Sequence, residues 1–239
     1  MRLSFVMPTY NEAGNIGRLI AAICRQADLK RYIKEFVVVD DGSSDGTAAV
    51  VKKLIQKRLP IKLIERQKTH GLATAILTGI RQIKGKVIIL MDTDFNHRPE
   101  DISRLIEPII KKKSDLVIGS RYIPGGGMHQ TEASRWQYVL SKWGNYFVNR
   151  IWLNLPVHES LSGFIVVKRA VLNKLPVKSI FRGYGEYCIR LLYYACRKGF
   201  KIKEVPVMYG LRKYGVSKSS LKRMVYFYAK TALELKFIK

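Results

Sequence analysis

Val87-Ile88-Ile89-Leu90-Met91-Asp92-Thr93-Asp94-Phe95-Asn96-His97-Arg98-Pro99 decides how this chain folds. The run from Val87 to Leu90 is apolar and β-branched without alternation, so it reads as a strand buried on both faces. Two carboxylates emerge where that strand ends, and Pro99 with Glu100 opens a helix. Side chains two apart on extended backbone point the same way, so Asp92 and Asp94 can face one site together. Like charges held that close repel unless a cation sits between them, and a divalent ion shared with phosphate oxygens meets that need. An isolated Asp-x-Asp is more often a capped turn beside a solvated carboxylate, so the neighbouring chain must decide.

Outward from this stretch the same unit repeats. Residues 3–7 form a strand ended by Pro8 and the turn Thr9-Tyr10-Asn11-Glu12, then a helix capped by Asn15 with Ile16, Leu19, Ile20 and Ile23 at helical spacing. Residues 36–39 form a second buried strand, ending in the acidic turn Asp40-Asp41-Gly42-Ser43-Ser44-Asp45-Gly46-Thr47, where Asp45 or Thr47 caps a helix to about Lys57. A strand over 61–64, a helix over 71–83 and a strand over 116–120 ending at Arg121 continue the alternation. This predicts an α/β fold, a doubly wound and mostly parallel sheet with helices on both faces and right-handed crossovers. Ligands of such sheets bind beyond the carboxyl ends of the strands, where Pro8 to Glu12, Asp40-Asp41, Asp92/Asp94 and Arg121 all fall. No Gly-x-Gly-x-x-Gly follows the first strand and no Gly-Lys-Ser/Thr turn is present, which argues against a dinucleotide dehydrogenase and against a P-loop.

The chain has 239 residues, 47% of them hydrophobic, enough to bury a substantial core. Its 43 Lys and Arg against 18 acidic residues give a formal charge of +25, a field that attracts nucleic acid, an anionic membrane surface or phosphorylated substrates. The positive charge is spread along most helices without a nucleic-acid motif, so no nucleic-acid partner is expected and a nucleic-acid-binding module is only a remote alternative. Cys24, Cys188 and Cys196 have no metal-ligand spacing and read as reduced thiols in a cytosolic setting. No signal peptide is visible, and no apolar run approaches the ~18 residues of a membrane span. The expected location is therefore cytoplasmic or peripheral.

Beyond Arg121, residues 122–128 form a glycine-rich loop that can cover a site. Residues 134–152 are an aromatic helical segment in which Trp136, Tyr138, Trp143, Tyr146, Phe147 and Trp152 alternate with Arg135, Lys142 and Arg150. Such a pattern suits a membrane interface and a hidden core equally. A strand over 164–167 is expected at the far side of the sheet, followed by a helix over 186–198 and a strand over 202–207. The basic loop 211–218 can neutralise a departing diphosphate, with an exposed basic tail as the alternative. Residues 219–239 form a basic amphipathic helix that docks on the domain or lies on a bilayer.

The motifs Pro8-Thr9-Tyr10-Asn11-Glu12, Val39-Asp40-Asp41-Gly42-Ser43-Ser44-Asp45-Gly46-Thr47, Met91-Asp92-Thr93-Asp94 and Gly119-Ser120-Arg121-Tyr122, in this order, resemble those of family-2 glycosyltransferases of GT-A fold. Within these the chain is most similar to polyprenyl-phosphate (dolichyl-phosphate) mannose synthases, whose distal motif matches the loop with Arg212, Gly215, Ser217 and Lys218. The resemblance implies a catalytic domain over 1–218 and a C-terminal helix over 219–239. It implies nucleotide binding by Pro8, Tyr10, Glu12, Val39, Asp40, Asp41, Asp92 and Thr93, and Mg²⁺ or Mn²⁺ held by Asp92, Asp94 and Asn96. Arg212 and Lys218 would grip the phosphates, with Arg121 and Ser141 toward the acceptor phosphate.

The implied reaction moves a hexose, mannose from GDP-mannose first, to a polyprenyl phosphate with inversion. UDP-glucose or UDP-N-acetylglucosamine, or a glycan or glycolipid acceptor, is the alternative. The implied setting is the cytoplasmic face of a membrane, reached through an anionic lipid surface or a membrane-anchoring partner subunit. Two positions depart from the family pattern: Gln137 stands where an arginine is frequent, and Glu159-Ser160-Leu161-Ser162-Gly163-Phe164-Ile165 replaces Asp-x-Thr-Ser-Gly-Phe-Arg.

Overall fold

A computed structural model describes residues 1–67, 71–129, 132–210 and 221–238. In chain order it contains β1 (Leu3–Thr9), α1 (Ala13–Cys24), α2 (Ala27–Lys30), β2 (Ile33–Asp40), α3 (Thr47–Gln56), β3 (Ile61–Glu65), α4 (Leu72–Gln82) and β4 (Val87–Leu90). A 3₁₀ turn (Pro99–Asp101) leads into α5 (Ile102–Ile110), then β5 (Leu116–Ser120) and β6 (Gly127–Met128). Next come α6 (Glu132–Tyr146), which continues as a π-helical turn (Phe147–Trp152), β7 (Ile165–Lys168), α7 (Arg169–Leu172), α8 (Val177–Ile180) and α9 (Tyr187–Arg197). The described chain closes with β8 (Ile202–Pro206), β9 (Met208–Tyr209) and α10 (Leu221–Phe237).

The main sheet has seven strands in the order β3-β2-β1-β4-β7-β5-β8. All neighbours are parallel except β7, which runs antiparallel to both β4 and β5. The mostly parallel, doubly wound expectation holds. The placement of the 164–167 strand does not: β7 lies inside the sheet rather than at its far side. Its sequence Ile-Val-Val-Lys gives the physical reason, because a strand buried on both faces belongs between others. β6 and β9 form a separate parallel pair, so the expected 122–128 loop carries a short strand.

Alternating side chains divide the core into two apolar layers. Phe36, Val38, Val87 and Ile89 point to one, which α1, α3 and α5 close with Ile16, Leu19, Val51 and Leu105. Val37, Val39, Ile88 and Leu90 point to the other, closed by α4, α9 and α10 with Ile76, Leu191, Leu192 and Leu235. Burying apolar area on both faces at about 25 cal/mol per Å² is what fixes the strand register.

Asn15 is not the cap of α1. It lies inside the helix and donates through Nδ2 to Glu12 Oε2 at 2.6 Å. The first amides are satisfied across the sheet edge instead: Glu12 N–H donates to Thr47 Oγ1 (2.8 Å) and Ala13 N–H to Asp45 Oδ2 (2.9 Å). The loops after β1 and β2 are thereby stitched together. In α10 the inward positions Tyr228, Thr231, Ala232 and Leu235 pack on the body, whereas Met224, Val225 and Tyr226 are exposed.

Candidate active site

The carboxyl edge of β1 and β2 is a hydrogen-bonded shelf. Asn11, at φ +55°, donates its N–H to Ser43 Oγ (2.8 Å) and accepts from Ser44 N–H (2.9 Å). Asp40 is buried and accepts from Thr9 Oγ1 (3.0 Å), Ser43 N–H (3.1 Å) and the Ser43 hydroxyl, so its carboxylate organises the turn. Asp41 accepts from Gly71 N–H (3.0 Å) and pairs with Arg66, which also donates to Thr74 Oγ1 and to the Gly71 carbonyl. Val39 packs wholly in the apolar layer, leaving its backbone for the edge. Tyr10 keeps 42% of its surface exposed at the rim.

Where β4 ends, the acidic pair separates in environment. The Asp92 side chain is 39% exposed, and Asp94 is buried. Asp94 accepts from the Asn96 backbone (3.0 Å) and from Asn96 Nδ2 (2.9 Å), which brings two of the three sequence-predicted metal residues together, while the Asp92 carboxylate lies 3.7 Å from His97 Nε2. Thr93 is buried and its hydroxyl reaches the Pro8 carbonyl at 3.4 Å, tying this loop to the nucleotide shelf. Phe95, between them, sits at φ +68°, a conformation that costs a bulky residue on the order of 1–3 kcal/mol. Two carboxylates and an amide oxygen are hard donors of the kind that would suit Mg²⁺ or Mn²⁺.

Behind the loop His97 is 1% exposed, stacked on Phe164 at 4.8 Å. Its Nδ1 accepts from Asp92 N–H at 2.9 Å, and Nε2 lies 2.9 Å from Tyr209 Oη. Burial, opposed in part by Asp94, lowers its pKa to about 4 and keeps the ring neutral.

Arg121, at the end of β5, is clasped by Glu159. The fully buried carboxylate accepts from Arg121 N–H, Nε (2.8 Å) and Nη2, and the guanidinium lies over the Tyr209 ring at 4.5 Å. Burial alone would depress the guanidinium pKa; the charge of Glu159 outweighs it and raises the value. Ser141 on α6 hydrogen-bonds the Tyr122 hydroxyl at 2.7 Å, and Tyr138 donates to the Arg121 carbonyl at 2.9 Å. The two residues read toward the acceptor phosphate are therefore brought to one corner, with Arg121 already carrying a carboxylate. Arg212 and Lys218 lie outside the described residues.

Sequence reasoning missed Arg66, Tyr209 and His97 as site residues and saw Glu159 only as a departure from a pattern. His97 adjoins the acidic motif, whereas Arg66, Tyr209 and Glu159 stand apart from it in sequence, and no local signal names a distant partner.

The family model for glycosyl transferase family 2 matches residues 4–175. The chain belongs to that family. Among curated relatives of this family-2 chain, the dolichol-phosphate mannosyltransferase of Pyrococcus furiosus is 36% identical over 91% of the chain, which spans 59% of that protein's own length. The polyprenol monophosphomannose synthase of Mycolicibacterium smegmatis is 34% identical, with 92% of this chain and 81% of that protein aligned. The undecaprenyl-phosphate mannosyltransferase of Micrococcus luteus is 31% identical, with 92% and 88% aligned. Among solved structures, glucosyl-3-phosphoglycerate synthase from Mycobacterium tuberculosis, in complex with Mn²⁺, uridine diphosphate and phosphoglyceric acid, superposes with a TM-score of 0.71 at 22% identity. It covers 100% of this chain and 79% of its own, which establishes the GT-A fold of the family-2 domain.

Proposed function

We propose that this family-2 enzyme transfers a hexose from a nucleotide sugar, GDP-mannose first, to the phosphate of a polyprenyl phosphate with inversion. One observation carries the reading. The acidic loop at the end of β4 and the Arg121–Ser141 corner meet on one sheet edge, in a chain 31–36% identical to three enzymes named for mannosyl transfer to prenyl phosphates.

In this mechanism Tyr10, Glu12, Asp40 and Asp41 shape the shelf for base and ribose, with Pro8 and the Val39 backbone lining it. Asp92, Asp94 and Asn96 hold Mg²⁺ or Mn²⁺, which supplies positive charge to the diphosphate. Arg212 and Lys218 contribute further charge to the leaving group. An acceptor phosphate oxygen forms the bond to the anomeric carbon from the face opposite the breaking bond to the diphosphate. The electron pair leaves with the nucleoside diphosphate. No general base is needed, because a phosphate monoester with a second pKa of about 6 is already an anion at neutral pH. Arg121 and Ser141 orient that phosphate, which lowers the barrier by positioning.

A lipid acceptor calls for work at a membrane surface, and the reading puts the enzyme peripherally on the cytoplasmic face. Among the described residues no helix is long and apolar enough to cross one. On α6 and its π turn, Trp136, Leu140, Trp143, Phe147 and Ile151 form an exposed apolar stripe at helical spacing. Lys142 and Arg150 beside it suit an anionic lipid surface. A membrane-anchoring partner subunit would cover the same stripe.

The test is incubation with GDP-mannose, UDP-glucose or UDP-N-acetylglucosamine, each with a polyprenyl phosphate and Mn²⁺. One donor should yield a charged glycolipid, abolished by Asp94→Ala and by chelator. Product that survives both treatments refutes the metal role, and transfer only to a glycan acceptor refutes the lipid.

A further inference from the structure

We propose that His97 is a positioning residue, one link of a hydrogen-bonded strut that fixes the acidic loop against β9. The inference rests on the metal-binding reading of that loop. A backbone amide can only donate, so the nitrogen that receives Asp92 N–H at 2.9 Å, Nδ1, carries no proton. The ring hydrogen therefore sits on Nε2 and is donated to Tyr209 Oη, 2.9 Å away. The Tyr209 hydroxyl in turn hydrogen-bonds the Ser162 hydroxyl at 2.8 Å. The direction of both links at His97 is thereby fixed, and the chain runs from Asp92 through His97 and Tyr209 to the loop that precedes β7.

Four further observations tie this strut to the loop rather than only to the core. His97 Nε2 also lies 3.7 Å from Asp92 Oδ2, so the ring flanks the carboxylate as well as its amide. Gly210 N–H donates to the Asn96 carbonyl at 3.0 Å, and a Cβ on Gly210 would lie 2.6 Å from the Phe95 carbonyl oxygen. The acidic loop and the end of β9 are thus joined twice just after Phe95, at Asn96 and at His97. Phe95 holds a left-handed backbone that persists only where its surroundings over-determine it. The stack on Phe164 and the edge contact with Tyr209 leave the ring one orientation. Partners that orient a ligand and its backbone typically carry 10–100-fold in metal affinity.

The experiment titrates Mn²⁺ with the full chain in the presence of GDP, and in parallel UDP, reading free Mn²⁺ by electron paramagnetic resonance. His97→Phe keeps an aromatic ring in the stack, adds some volume and removes both hydrogen bonds; it should weaken Mn²⁺ binding about tenfold or more. His97→Asn, which restores an acceptor for Asp92 N–H, should recover most of the affinity. Tyr209→Phe removes only the far link and should weaken binding several-fold. In turnover, kcat should fall while the acceptor KM stays in place. If His97→Phe does not fold, Tyr209→Phe carries the test. Folded variants that bind Mn²⁺ as tightly as wild type, or His97→Asn no better than His97→Phe, overturn the inference. Wild-type protein that binds no Mn²⁺ with either nucleotide overturns the metal reading itself.

Discussion

Arg121 and Glu159 form a buried pair whose energetics are dominated by what happens when one partner is lost. Glu159→Gln would leave a guanidinium charge out of water without its counter-ion, a loss of about 3–5 kcal/mol, read as a lower urea midpoint. A variant as stable as wild type would mean that water reaches Arg121. Cys188 offers a second test: burial raises its thiol pKa, so iodoacetamide at mild alkaline pH should leave it unmodified until the protein unfolds, as mass spectrometry would show. At this scale the acidic motif was legible as the end of a buried strand, but β4 stops at Leu90, so strand alternation does not govern Asp92 and Asp94, which stand in unlike environments. Glu159 and Tyr209 were not legible, because their partners are 38 and 112 residues away and no local pattern encodes such a meeting.

Among the elements, α4 shows two effects of opposite sign. Alanine is favoured over glycine in a helix by about 1 kcal/mol, yet a Cβ at Gly79 would sit 2.5 Å from Val6 Cγ1, where α4 lies against β1. Overpacking costs about 1–3 kcal/mol, so Gly79→Ala should lower the melting temperature; a rise would show that the sheet can yield. For α6, Trp136 and Trp143 are 75% and 65% exposed, so replacing both with serine should leave the melting curve unchanged. The same double variant should reduce co-sedimentation with anionic liposomes several-fold; undiminished binding would remove this face from the proposed contact. The α6 helix was legible from its periodicity, but its exposed side was not, since aromatics at helical spacing describe a core and an interface alike. The antiparallel β7 was hidden for a related reason: four apolar residues announce a buried strand without giving its direction.

Across the whole molecule the charge of +25 supplies a long-range pull toward anionic lipid, screened over about 8 Å at physiological salt. Liposome association should therefore weaken steeply as salt rises, with a residual part owed to the aromatic stripe; salt-independent binding would assign the contact to apolar insertion alone. The alternation of strands and helices made the architecture readable from the first half of the chain. What lay beyond it, the corner built by Arg121, Glu159 and α6, comes from packing between distant segments.

Because β7 runs against its neighbours, its beginning lies on the rim where the others finish. Residues 121–164 therefore depart from that rim and return to it, like a handle fastened at both ends to one side of a plate. The handle carries Arg121 and Ser141, the pair read toward the acceptor, whereas the shelf after β1 and β2 lies outside it. A chimera carrying a relative's 121–164 segment should change the acceptor and keep the donor.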